Sequence, residues 1–216
     1  MHPKKWLGSI IAFWFIFSPI IWAETHADII KRAEFGNAEA QTQLGLMYLH
    51  GEGMFINVIE ATKWLLKSAH QGDVSAQLTL GLMYANGDGL PKHYQEAYLW
   101  FQKAAFQGNP VAQADLGLMY IRGEGVNKNP AEAVKWFRLS ADQGNAIAQF
   151  HLGLCSYEGE GVTKDKQESY VWFALAAAQG DTDADGFIYQ LEKELTSDEI
   201  AVAQKRAASW VFPNKT

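Results

Sequence analysis

PVAQADLGLMYIRGEGVNKNPAEAVKWFRLSADQG, Pro110 to Gly144, decides how this chain folds, because it occurs four times. Variants of it run from Ala38 to Gly72, from Val74 to Gly108 and from Ala146 to Gly180, with no gaps between copies. Gly45, Gly81, Gly117 and Gly153 mark the 36-residue step, and so do Trp64, Trp100, Trp136 and Trp172. A fixed period of this size predicts a stacked repeat architecture, in which one unit alone cannot bury its apolar face.

Each copy reads as two helices. The first follows Asn37, Asp73, Asn109 or Asn145, all residues whose side chains cap a helix N-terminus. It carries A-Q-x-x-L-G-L-M-Y and stops at a glycine-acid-glycine turn such as Gly51-Glu52-Gly53. The second carries E-A-x-x-W and ends at glutamine-glycine, with Gly72, Gly108, Gly144 and Gly180 ending the helices. Pro130 suits the first turn of its helix. The glycine-acid-glycine turns lack the Lys and Ser/Thr of a phosphate loop, and their acids are expected in solvent. The aromatic stripe at helical spacing is expected to be core, and nothing alternates as a strand would.

The carrying residues Leu44-Gly45-Leu46-Met47-Tyr48, Gly51-Glu52-Gly53, Ala61-Thr62-Lys63-Trp64 and Ser68-Ala69-His70-Gln71-Gly72, with their equivalents, resemble the Sel-one-like repeat family (SLR), a relative of the tetratricopeptide repeats. The resemblance runs from about Gly36 to Gly180. It implies an all-α fold, an α/α solenoid of four helix-turn-helix repeats with helical caps, and a scaffold that binds a protein or peptide partner without a cofactor. Exported bacterial members of the family act in envelope assembly, signalling or host interaction. Cysteine-rich secreted members are linked to penicillin recognition and hydrolysis, but this chain has Cys155 alone. The fourth copy departs from the pattern at Cys155, Ser156 and Ser169, so its packing is expected to loosen or change.

Four copies in one chain separate packing from surface. On a helical wheel, Ala40, Gln41, Leu44, Gly45, Met47 and Tyr48 share one side, and the positions that differ between copies share the other. Leu46, Leu82, Leu118 and Leu154 break this division, because they repeat in the middle of the varying side. They either touch the next unit's first helix or form an apolar strip along a binding surface. The rows beside them are mixed: Thr42, Leu78, Ala114 and Phe150; Gln43, Thr79, Asp115 and His151; Leu49, Ala85, Ile121 and Tyr157; His50, Asn86, Arg122 and Glu158. Apolar anchors among scattered polar groups suit a peptide partner rather than one chemistry. The candidate contacts are Leu46, Leu49, His50, Leu78, Leu82, Asp115, Leu118, Ile121, Arg122, Phe150, His151, Leu154 and Tyr157. His70 and His93 lie outside these rows and read as solvated.

After the repeats, Asp181 to Glu192 satisfies the calcium-loop pattern D-x-[DN]-x-[DN]-G-x5-E through Asp181, Asp183, Asp185, Gly186 and Glu192. The same residues also continue the repeat frame, with Asp181 in the capping place and Ala184 in the place of Ala40. Helical acids near an N-terminus are favoured there, while Gly186 costs about 1 kcal/mol against Ala. Thr196-Ser197-Asp198-Glu199 is a capping box for a final helix, with Ile200, Ala203, Ala207 and Trp210 or Val211 facing inward.

At the start, Lys4 and Lys5 precede an uncharged stretch from Trp6 to Trp22, and Ala23 follows. This reads as a secretory signal cleaved after Ala23, or as an uncleaved anchor that Ser18-Pro19 would interrupt. His26 to Phe35 reads as a capping helix over the first repeat. The chain has 216 residues, 48% of them hydrophobic, and a formal charge of −6, which argues against a nucleic-acid partner. An exported protein with one cysteine has no internal disulfide, and Cys155 falls on an apolar helical stripe as a core residue does. A monomer in the periplasm or outside the cell is expected.

Overall fold

The computed structural model describes residues 17–210, with side chains from His26 onward. Among the described residues there are eleven α-helices and no strand: α1 (Phe17–Glu34), α2 (Ala38–His50), α3 (Val58–His70), α4 (Val74–Asn86), α5 (Tyr94–Phe106), α6 (Pro110–Arg122), α7 (Pro130–Ala141), α8 (Ala146–Glu158), α9 (Lys166–Ala177), α10 (Thr182–Glu194) and α11 (Ser197–Ala208). The pairs α2/α3, α4/α5, α6/α7 and α8/α9 are the four repeats, and the fold is an all-α solenoid of helix-turn-helix units.

Local chemistry sets the boundaries of the repeat helices. Asn37, Asn109 and Asn145 accept from the N–H groups of Ala40, Ala112 and Ala148, and Asp73 does the same for Ala76 at 2.8 Å. Gly51, Gly123 and Gly159 close first helices in the left-handed region, with φ between 71° and 78°, where a side chain would be strained. The second helices have their own caps: Asn57, His93, Asn129 and Asp165. His93 is exposed, as expected, and its Nδ1 also accepts from the Glu96 N–H at 3.2 Å.

Helix α1 is longer than the sequence led us to expect. It begins at Phe17, not His26, so the end of the uncharged stretch and the capping helix are one element. Pro19 lies in its first turn, where a missing N–H costs nothing. Residues 1–16, which hold most of the expected signal, and Val211 lie outside the described residues. No helix among the described residues is long and apolar enough to cross a membrane.

The chain divides into two compact units, one ending at Ala76 and one beginning at Gln77. In the first, α2 packs against both α1 and α3. Ala33, Ala40 and Leu44 are buried there, with Ile29, Ile30, Tyr48, Met54 and Trp64 around them. In the second, each of α6 and α8 packs against the second helix before it and the one after it, and α9 carries both α10 and α11. The largest fully buried side chains of this unit include Trp172, Phe101, Phe137 and Phe173. Each such residue stabilises the fold by about 1.5–3 kcal/mol relative to exposure.

The repeated glycine of each first helix is a close-approach residue. A methyl group at Gly153 would come within 2.6 Å of the Phe173 ring, and one at Gly45 within 2.7 Å of Leu65. The departures in the fourth repeat do not loosen it. Cys155, Ser156 and Ser169 are all buried, and the Ser169 hydroxyl donates to the Gly153 carbonyl at 2.8 Å. Ser156 stands where Tyr120 stands one repeat earlier, and Tyr170, buried on α9, supplies an aromatic ring where that repeat has Val134.

The calcium-loop frame does not form a loop. Thr182 to Glu194 is helical, and the Asp181 carboxylate accepts from the N–H groups of Asp183 and Ala184 as an N-cap. Glu192 accepts from the Tyr170 hydroxyl at 3.3 Å. A helix spreads Asp181, Asp183, Asp185 and Glu192 along its length, whereas calcium needs its oxygens convergent. Among the described residues no group of three or more His, Cys, Asp or Glu is placed to hold a metal. The closing helix starts at the expected capping box of Thr196 and Glu199, and Ala203 is its buried residue.

Candidate functional site

The varying side of the first helices carries the candidate residues, and the structure sorts them into packing and surface. In the first unit, Leu46 and Leu49 of α2 are half-buried and His50 is exposed at its end. Thr42 belongs to the packing: it is buried, lies 2.7 Å from the Ser68 hydroxyl and donates to Asp73 at 3.0 Å. The row it begins is structural elsewhere too. Ala114 is buried, and the Phe150 ring stands 5.5 Å from Phe173 and 5.8 Å from Phe187. Leu78 is half-buried.

The last helix of the row is covered by the cap. Tyr157 lies edge-on to Phe187 at 6.0 Å. Its hydroxyl donates to Glu194 at 3.1 Å and accepts from Gln190 at 2.7 Å. Phe150 and Tyr157 were expected to anchor a partner, but α10 takes up much of both. What remains open there is a cleft of about 330 Å³, lined by Phe150, Thr182, Asp183, Gly186, Phe187 and Gln190. A methyl group at Gly186 would meet nothing within 4 Å, so this glycine is one wall of open space.

Between α4 and α6 a second cleft of about 180 Å³ brings expected residues together: Leu82, Asp115, Leu118 and Arg122. Leu82 is 37% exposed. Leu118 and Leu154 are half-buried against the core of this unit, so the repeated leucine serves packing and surface at once. Ile121 is also half-buried there.

Sequence reasoning missed Lys92, Tyr94, Phe101 and Glu124, which complete the cleft. The turn after α4 folds back on its helix, because the His93 N–H donates to the Tyr84 carbonyl at 2.9 Å. The signal was present: Lys92, Lys128 and Lys164 recur just before the second helices, while Ile56 replaces them in the first copy.

The electrostatics of this face are local. Burial pushes the Asp115 carboxyl up to about 6, against a small opposing pull from Arg122. Its Oδ2 is out of solvent and has no hydrogen-bond partner. Arg122 sits 3.8 Å from Glu124. His151 is held below its usual range by burial, with Arg122 adding to the effect. The neutral imidazole lies flat on Phe137 with ring centroids 5.2 Å apart. Cys155 faces the core, and burial pushes its thiol up to about 12, so no thiolate is available for chemistry.

The Sel1 repeat family model matches residues 38–73, 74–109, 110–145 and 146–181. The chain belongs to the Sel1 repeat family. Sel1 repeat proteins are generally non-catalytic scaffolds for protein–protein interaction. The crystal structure of a protective antigen present in uropathogenic Escherichia coli strains, displaying an SLR fold, is similar to this Sel1 repeat chain at 36% identity and a TM-score of 0.77. The match covers 85% of this chain but only 40% of the antigen's length. A Sel1 repeat protein from Oxalobacter formigenes is 35% identical with a TM-score of 0.73, covering 87% of this chain and 79% of that one. A comparison with curated proteins found no match.

Proposed function

We propose that this Sel1 repeat protein is exported and holds a peptide segment of a protein partner on the first-helix face of its second unit. The observation that carries this reading is the cleft between α4 and α6. Its walls combine positions that are alike in every repeat, Leu82 and Leu118, with positions that differ in every repeat, Asp115 and Arg122. Repeated positions build the frame, and the differing ones give each frame its own partner. Phe150 and Tyr157 are secondary here, because the cap occupies them. The role is binding, not catalysis, and the acidic chain is a poor match for nucleic acid.

Export rests on the N-terminal sequence, with residues 1–23 as a signal cut after Ala23, and the relative that is a protective antigen supports it. The protein then works in the periplasm or outside the cell, as a monomer, in envelope, signalling or host-interaction processes. N-terminal sequencing of the protein recovered from the envelope fraction tests the cut: a chain starting at Met1 refutes it. For the binding role, the wild-type chain and Leu82→Lys are used to capture partners from the same fraction. Leu82 is surface enough for the variant to keep its helical circular dichroism. A protein held by wild type and lost by the folded variant supports the reading, and equal capture by both overturns it.

A further inference from the structure

The repeat frame lets the cleft be compared with its own equivalent 36 residues later. At the later junction, His151 lies on Phe137 with their planes 12° apart, and Lys128 reaches Glu160 at 2.9 Å. A ring stacks on the buried phenylalanine, and an ion pair joins the turn after α6 to the turn after α8. One repeat earlier the corresponding residues are Asp115, Phe101, Lys92 and Glu124. Asp115 is too short to do what the imidazole does. Lys92 is drawn over the Tyr94 ring, 4.7 Å from its centroid, and the cleft stays open with Phe101 and Asp115 in its wall.

The charges around it leave one group uncompensated. Arg122 pairs with Glu124 and Lys92 with an aromatic face. The Asp115 Oδ2 is buried without a donor, which destabilises the fold unless something supplies one. Burial raises the affinity of this carboxyl for protons, and Arg122 offsets that only in part. The missing piece is therefore planar, carries donors and is positive. A guanidinium has all three properties: a flat fork of N–H groups, weak hydration and a fit to carboxylates. Its aliphatic stem would pass Leu82 and Leu118.

We propose that this cleft binds an arginine side chain of the partner peptide, with its guanidinium donating to Asp115 in the place that His151 fills one repeat later. This rests on the reading of the first-helix face as the peptide surface.

The test uses the ¹⁵N-labelled chain and three capped tripeptides, acetyl-Gly-X-Gly-amide with X as arginine, lysine or norleucine. The arginine peptide is expected to shift the amide signals of Leu82, Asp115 and Leu118 saturably, the lysine peptide more weakly, and norleucine not at all. Asp115→Asn keeps the shape and removes the charge, and should weaken the arginine peptide by roughly tenfold or more. Norleucine binding as tightly as arginine overturns the proposal. So does an unchanged affinity in Asp115→Asn, or no saturable shift with arginine. The native partner separates this from the broader reading. If Asp115→Asn still captures it while Leu82→Lys does not, the arginine site is wrong and the peptide surface stands. If both variants capture it, both are wrong.

Discussion

The side-chain amide of Gln143, at the end of α7, donates to the side-chain oxygen of Gln113, in the first turn of α6, at 2.8 Å. Gln113 in turn donates to the Ala105 carbonyl of the preceding repeat at 3.2 Å. The same pair recurs as Gln149 with Gln179 at 2.6 Å and Gln41 with Gln71 at 2.7 Å. The two glutamines tie the ends of one repeat together and fasten it to the helix before it. Gln113→Leu should cost about 1 kcal/mol, because the Ala105 carbonyl and the half-buried Gln143 amide each lose one of two partners and keep the Gly108 N–H and the Leu139 carbonyl. Urea unfolding of the variant checks this, and a loss under half a kilocalorie would show that water replaces the bond.

Two glycines on first-type helices should respond to alanine with opposite signs. Gly153→Ala pushes a methyl against the Phe173 ring, and overpacking of this kind costs typically 1–3 kcal/mol. Gly186→Ala meets nothing and its helical φ needs no glycine, so the helix should gain up to about 1 kcal/mol. Thermal unfolding of the two variants tests the pair. The second substitution also narrows the 330 Å³ cleft beside Phe150 without disturbing the core.

The two glycines show where the sequence was readable. The repeat, its first-helix caps and its close-approach glycines announce themselves, because a constraint met four times leaves four identical or chemically equivalent residues. Features met once do not. Phe150 differs from Ala114 and Thr42 and so looked like a partner contact, yet it differs because α10 packs there instead of another repeat. Thr42 differs from Leu78 because it spends its hydroxyl on Asp73. His93 concealed a cap because an imidazole rarely does an asparagine's work. Variation in a repeat marks either a partner or an exception in packing, and only the placement of neighbours separates the two.

Cys155 should be silent toward thiol reagents until the fold opens. Burial, with Glu160 and Glu158 adding to it, pushes its thiol up to about 12, and the thiolate is the reacting form. At pH 8 an aromatic disulfide reagent should titrate no thiol in the native chain and one in urea. Rapid native labelling would mean that α8 opens on its own, without global unfolding.

Asp115 should make the fold less stable as pH rises, and Asp115→Asn should remove that loss. The folded carboxyl titrates at about 6, against an ordinary value of 3.8. Below about 4 the group is neutral in both states, and the variant and wild type should match. Between the two values the folded state binds the extra proton, so wild-type stability falls as pH rises. Above about 6 the full penalty persists, of order 1–2 kcal/mol once solvent relaxation is allowed. Arg122, Glu124, Lys92 and Tyr94, the charged and titratable groups that line the cleft with Asp115, are common to both chains and cancel in the difference. Urea unfolding at pH 4, 5, 6 and 7.5 should therefore show Asp115→Asn gaining on wild type and then levelling. The same carboxylate is needed by an arginine peptide, so wild-type affinity should climb over the same interval in which stability falls. A residue kept for packing would move both quantities in one direction. Opposite movement means that the chain carries an unpaired acid which a partner's cation offsets.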